Sequence, residues 1–231
     1  MALYQILGST AQGVVSKQNL DSEPSGWTED TLGRRVETAL GSFNTSIPQQ
    51  AIKRYTEKVD GMALSKNINK FWLIYSSMIS DIKTICPLQD MAKTLADHFS
   101  AKIYSYVATQ GRNKLDHIAD STSDIEAIFD MYQIDDDYKK LADKVNADGA
   151  ADEDKEAMLA GAQVADDQSK FVENMQNMFY TFVRTGVLPK GKDMSQGMYI
   201  VNKDIITQTP YPNCDFWKNT RSIVPTYANL D

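Results

Sequence analysis

Residues 82–132, IKTICPLQDMAKTLADHFSAKIYSYVATQGRNKLDHIADSTSDIEAIFDMY, hold the succession that decides how this chain folds. Pro87 suits a first helical turn, where a missing N–H costs nothing. Leu88, Met91, Ala92, Leu95 and Phe99 then recur at helical spacing and predict one apolar stripe. Ser100 ends that stripe, and Ile103, Tyr104, Tyr106 and Val107 are the β-branched and aromatic types that fill strands. After the strand, Gly111 opens the polar run GRNKLDHIADSTSD, which reads as a surface loop, the kind of segment where function concentrates. A second apolar cluster follows at Ile125, Ile128, Phe129 and Met131.

On the N-terminal side, Asn69 to Thr84 (NKFWLIYSSMISDIKT) reads as a helix with Phe71, Trp72, Tyr75, Met78, Ile79 and Ile82 inward. An aromatic stripe at this spacing is core rather than a cofactor box. Helical patterns also cover Asp30 to Leu40 and Pro48 to Val59, the second with Ile52, Tyr55 and Val59 on one face. Tyr4 to Leu7 predicts a short strand that turns at Gly8-Ser9-Thr10, and residues 16–33 are polar and turn-rich. On the C-terminal side, residues 135–167 carry eleven acidic residues against four lysines, a balance equal to the whole chain's net charge of −7. That segment reads as a solvated helix-and-loop insertion rather than an acidic binding arm. FVENMQNMFYTFVRTG, 171–186, is the clearest helix, with Phe171, Met175, Met178, Phe179, Phe182 and Val183 on one face and Gly186 at the C′ position. Met198 to Val201 and Ile205-Ile206 suggest a hairpin.

The totals bound the function class. With 231 residues the chain is one large domain or a good part of one. Hydrophobic content of 42% and charged content of 24% are those of a globular protein. The net charge of −7 argues against a nucleic-acid partner. No stretch approaches the ~20 apolar residues a membrane span needs. The opening MALYQILGSTAQG lacks the charged and apolar regions of a signal peptide. No cofactor motif stands out, and Asp135-Asp136-Asp137 lacks the spacing of a calcium loop, so no metal site is expected. On count alone, Cys86 and Cys214 read as two buried free thiols.

Cys86-Pro87-Leu88, a helix, a strand of the form A-K-[IV]-Y-x-Y-V and then Asp124-Ile125-Glu126 with Phe129 resemble the C-terminal half of the cholinesterase/carboxylesterase family. Met175, Phe179, Phe182, Thr185, Gly186 and Pro189 resemble that family's M-x-x-x-W-x-x-F-x-x-T-G-x-P, with Phe for Trp and one added residue. The resemblance implies an α/β-hydrolase fold, a mixed sheet flanked by helices, with residues 1–231 as its C-terminal part and about 135–167 as a surface insertion. It implies a bridge between Cys86 and Cys214, the latter in C-D-F-W, and hence a secreted or extracellular setting. Asn44-Thr45-Ser46 is a glycosylation sequon compatible with that setting. An N-terminal half of the same fold is the implied partner, supplying the missing strands, together with a homodimer contact or a protein ligand.

The family's chemistry is acyl-ester hydrolysis by serine, acid and histidine in that chain order. The resemblance places Gln12, in A-Q-G, where the family has the glutamate of D-E-G, and Ser121 where it has the histidine. Glutamine cannot stabilise an imidazolium by charge, and a serine hydroxyl cannot serve as general base near neutrality. No G-x-S-x-G occurs, so a nucleophile would lie in the preceding half. Two readings follow: an inactive cholinesterase-like domain with a binding, adhesion or structural role, or part of a secreted carboxylesterase with His117 as base. The other histidine, His98, reads as a helix-surface residue.

Overall fold

A computed structural model describes residues 5–10, 26–41, 46–61, 68–100, 102–110, 119, 122–131, 152–188, 198–208, 211 and 213–219. Its framework is a mixed four-stranded sheet in the order β1-β2-β3-β4, with β1 at Gln5–Thr10, β2 at Ile103–Ala108, β3 at Met198–Val201 and β4 at Ile205–Gln208. β1 and β2 are parallel, in a register that runs from Gln5↔Ile103 to Thr10↔Ala108. β2 and β3 are also parallel, whereas β3 and β4 form the antiparallel hairpin expected from the sequence. Gly8, Ser9 and Thr10, expected as a turn, instead complete β1, because the β2 backbone offers them ladder partners through Ala108.

All six residues of β2 are buried, as a central parallel strand with helices on both faces requires. Alternation sends Tyr104, Tyr106 and Ala108 to one face, where Tyr199 and Val201 of β3 join them. Ile103 and Val107 point to the other. The first face is covered by a 34-residue helix, Asp152–Thr185. The second is covered by α1 (Glu29–Leu40), α2 (Ile47–Asp60), α3 (Lys70–Ser80) and α4 (Cys86–His98), closed by a short C-terminal helix, Cys214–Asn219. A six-residue helix, α5 (Ser123–Ile128), follows β2, so the long helix is α6 and the last is α7.

The helix termini follow the local sequence. Thr28 caps α1 by accepting from the Thr31 N–H at 3.2 Å, and Asn69 caps α3 by accepting from Phe71 and Trp72 at 3.0 and 3.1 Å. Gly186 ends α6 at φ 69°, a left-handed conformation that suits glycine at C′. Buried residues fall at helical spacing: Leu32, Val36 and Leu40 on α1, then Ala51, Tyr55 and Val59 on α2.

Two sequence expectations are corrected. Pro87 does not open a separate helix, because α3 continues into α4 through a π-helical turn, Asp81–Ile85. A proline inside a helix lacks one backbone bond and crowds the preceding turn, and a widened π turn just before it accommodates both. The inward face of α4 is also rotated from the expected stripe. Cys86, Gln89 and Ala92 are buried, whereas Met91 and Phe99 are exposed. Cys86 is tied to α7, and that attachment sets which side of α4 meets the core.

The helix expected at 171–186 reaches back to Asp152, so the C-terminal part of the acidic 135–167 stretch is continuous with it. Residues 135–151 lie outside the described residues. From residue 163 onward, Ala165, Gln168, Phe171, Met175 and Met178 are the buried residues of α6. Gln168 is fully buried, and among the described residues neither its amide oxygen nor its amide nitrogen has a hydrogen-bond partner. An unpartnered buried amide costs about 1–3 kcal/mol. Gln168→Met keeps the length and helix propensity of the side chain while removing that cost. We expect its urea midpoint to rise at constant m value, corresponding to about 1 kcal/mol of added stability; a lower midpoint would mean that the amide has a polar role.

Candidate functional site

Asp81 lies in the π turn and is 1% exposed. A buried carboxylate needs donors, and three elements supply them. Tyr55 of α2 donates its hydroxyl to Asp81 Oδ2 at 2.6 Å. The Trp217 indole N–H, from α7, donates to that same Tyr55 oxygen at 2.8 Å. Asn213 donates from Nδ2 to Asp81 Oδ2 at 3.4 Å, while its Oδ1 accepts from Arg54 Nε at 2.8 Å, which fixes the amide's orientation. Asn213 adopts φ 78°, a left-handed conformation that asparagine tolerates better than most residues.

Cys86 and Cys214 flank this network and are bonded to each other, with Cα atoms 5.2 Å apart and the two residues 128 positions apart in sequence. The reading of two free thiols is thereby excluded. Cys86 follows Asp81 by one π turn, its N–H donating to the Asp81 carbonyl, and Cys214 directly follows Asn213. Covalent and polar contacts thus join the same two elements. A disulfide closing a loop of this length stabilises by about 2–5 kcal/mol.

Burial raises the Asp81 carboxyl to about 6, against the lowering effect of nearby Lys58 and of the bonds from Tyr55 and Asn213. Lys58 Nζ sits over the rings of Tyr55 and Tyr211, at 5.9 and 5.8 Å. Both tyrosine hydroxyls are pushed up by burial and by the Asp81 charge. Enclosed in this way, Asp81 positions helices and has no route to a substrate.

A second buried pair lies across the sheet. Tyr106 of β2 donates to Asp124 Oδ2 at 3.0 Å, and Asp124 Oδ1 accepts from the Ile125 N–H at 2.9 Å. Burial, then the Asp124 carboxylate, raises the Tyr106 hydroxyl. The bond fastens the first turn of α5 to the central strand.

Gln12, Asn44, His117 and Ser121 lie outside the described residues. Their flanking elements are described. Thr10, two positions before Gln12, is paired with Ala108, and Ser123, two positions after Ser121, begins α5. The chain therefore leaves β1 and β2 at neighbouring carboxyl ends, the edge where α/β sheets carry their sites. His98 is exposed at the end of α4, its Nδ1 2.8 Å from the Thr94 carbonyl oxygen. Among the described residues no group of three His, Cys, Asp or Glu side chains could hold a metal, and no helix is long and apolar enough to cross a membrane.

No family model matches the chain. Among curated proteins the chain is similar to neurotactin of Drosophila melanogaster. The two are 23% identical over 229 residues, which is 98% of this chain. The chain spans 21% of the length of neurotactin. A likeness this weak, extending over the whole chain, loosely supports a cholinesterase-like relationship.

The polar network yields a pH test. In the unfolded chain Asp81 titrates near its ordinary 3.8, and in the folded protein at about 6. Between those values the folded state holds a proton that the unfolded state has lost. The stabilising contribution is complete below about pH 4 and is lost as pH rises through about 6, on the order of 3 kcal/mol. Asp81→Asn keeps an acceptor for Tyr55 and removes the charge. The urea midpoint of the parent should therefore fall relative to Asp81→Asn between pH 4.5 and 6.5, then level off. A parent–variant difference that is constant over that range would refute the assignment.

Proposed function

We propose that this chain is the C-terminal part of a cholinesterase-like α/β-hydrolase domain that serves a binding or adhesion role outside the cell and does not hydrolyse esters. The observation that carries the reading is the likeness to neurotactin over 98% of this chain, which supports a cholinesterase-like adhesion role. The sequence motifs support it from another direction, since Gln12 and Ser121 stand where the resemblance implies the acid and the base. Without an imidazole at the second position a serine nucleophile has no proton acceptor, and loss of that group alone removes several orders of magnitude in rate. The Cys86–Cys214 bond favours an oxidising compartment.

The sheet supports the expected preceding half. β1 is an edge strand whose ladder is occupied by β2 on one side among the described residues. An uncovered parallel edge invites another strand. In the proposed domain that strand comes from an N-terminal half, which would also carry any G-x-S-x-G nucleophile.

Two assays on the full-length protein separate this reading from the carboxylesterase reading with His117 as base. Beads coated with the protein should bind cells that display a protein partner, and binding should be lost after those cells are treated with protease. Hydrolysis of a simple aryl ester should stay at background. Turnover in the range of about 1–10³ s⁻¹ that disappears in His117→Ala would establish the esterase instead.

A further inference from the structure

Two buried polar side chains stand opposite one another across the seam between α4 and β2. Ser105, in the middle of β2, is fully buried, and Gln89 of α4 is 2% exposed. Among the described residues neither the Ser105 hydroxyl nor the Gln89 amide oxygen has a hydrogen-bond partner. Strand alternation puts Ser105 on the face that Ile103 and Val107 share. α4 packs on β2 and joins it through residues 99–102 alone, so the two run antiparallel. Beside that connection Ala92 and Ile103 form one apolar cluster. Moving away from it, Gln89 stands one turn back on α4, about 4.5 Å along the helix axis. Ser105 stands two residues further along β2, about 6.6 Å. Cys86 and Val107 follow at the far end, both in the core cluster beneath the helices. Gln89 and Ser105 therefore share one level between two apolar layers.

The chemistry of the two groups indicates what lies between them. A carbonyl oxygen only accepts, whereas a serine hydroxyl both donates and accepts. The pair does not bond directly. A molecule joining them must donate to the amide and exchange one further bond with the hydroxyl. Water does both, and a buried polar site with two to four partners is where it is retained. Gln89 and Ser105 are neutral, so an ion would find no opposite charge from either. We infer that an ordered water molecule is bound between α4 and β2, donating to Gln89 Oε1 and bonded to Ser105 Oγ. The site accounts for a glutamine on the inward face of α4. The disulfide at Cys86 turns Gln89 toward the sheet, and the water supplies the bond that a buried amide oxygen needs. Both residues are already enclosed by this chain's own elements. The inference is therefore independent of what covers the sheet edge and of whether the domain hydrolyses esters.

A crystal structure of the full-length protein, at a resolution that shows ordered water, tests the site directly. A water within hydrogen-bond distance of both Gln89 Oε1 and Ser105 Oγ is expected. Urea unfolding gives an independent readout. Apolar replacement relieves a polar atom that has no partner, as expected of Gln168→Met, so replacement here should act in the opposite direction. Gln89→Met and Ser105→Ala should each lower the folding equilibrium constant about fivefold, the equivalent of one hydrogen bond. The double variant should lose less than the product of the two, because both replacements act on the same water. Density that shows Gln89 bonded directly to Ser105, or no water between them, would overturn the inference. So would a single replacement that raises the urea midpoint, or two losses that multiply independently. The crystallographic arm uses the parent protein and decides the matter even if a variant folds poorly.

Discussion

A carboxylate enclosed by protein must be met by donors, and at Asp81 meeting that demand settles where three elements lie. Tyr55 reaches it from α2, Asn213 from the turn before α7, and Trp217 extends the chain of bonds through the Tyr55 oxygen. Each bond is charge-assisted or part of a series, the circumstances in which buried hydrogen bonds are strongest. The π turn is what turns Asp81 toward these partners, and the same turn carries Cys86 to within bonding distance of Cys214. Polar network and disulfide are two fastenings of one joint.

The other face of the sheet is held differently. Tyr104, Tyr106 and Tyr199 lie under Phe171, Met175 and Met178 of α6, with the Tyr104 and Phe182 rings edge to face at 5.9 Å. Aromatic burial supplies most of the stabilisation there, at about 1.5–3 kcal/mol for each large side chain enclosed. The Tyr106–Asp124 bond adds direction, locking the start of α5 to the strand that precedes it. Both faces therefore converge on β2, and each adds one buried acid as a positioning device.

Much of this was legible in the sequence because it rests on local pattern. The helices at 29–40, 47–60 and 70–80 and the hairpin of β3 and β4 announce themselves through spacing, caps and β-branched runs. What misled was tertiary. Gly8-Ser9-Thr10 carries turn residues, yet β2 holds it extended. Met91 and Phe99 belong to an apolar stripe by spacing, yet the disulfide at Cys86 turns α4 so that Gln89 faces the core. Asp81 carries one local signal, a single acid inside the apolar run WLIYSSMISDI. Its partners at 55, 213 and 217 are distant in sequence, and no local rule connects them. The candidate triad positions were readable only through motif resemblance, since glutamine and serine in a loop carry no signature of their own.

We propose a hydrolase-like scaffold that is put to binding use, with no activated serine. An activated serine is defined by its reactivity, because a neighbouring base makes its oxygen nucleophilic. A fluorophosphonate probe reports that property directly, whatever the natural substrate. We expect the full-length native protein to incorporate no more probe than a heat-denatured control. Labelling of a single serine at one equivalent per chain, abolished in His117→Ala, would contradict the account.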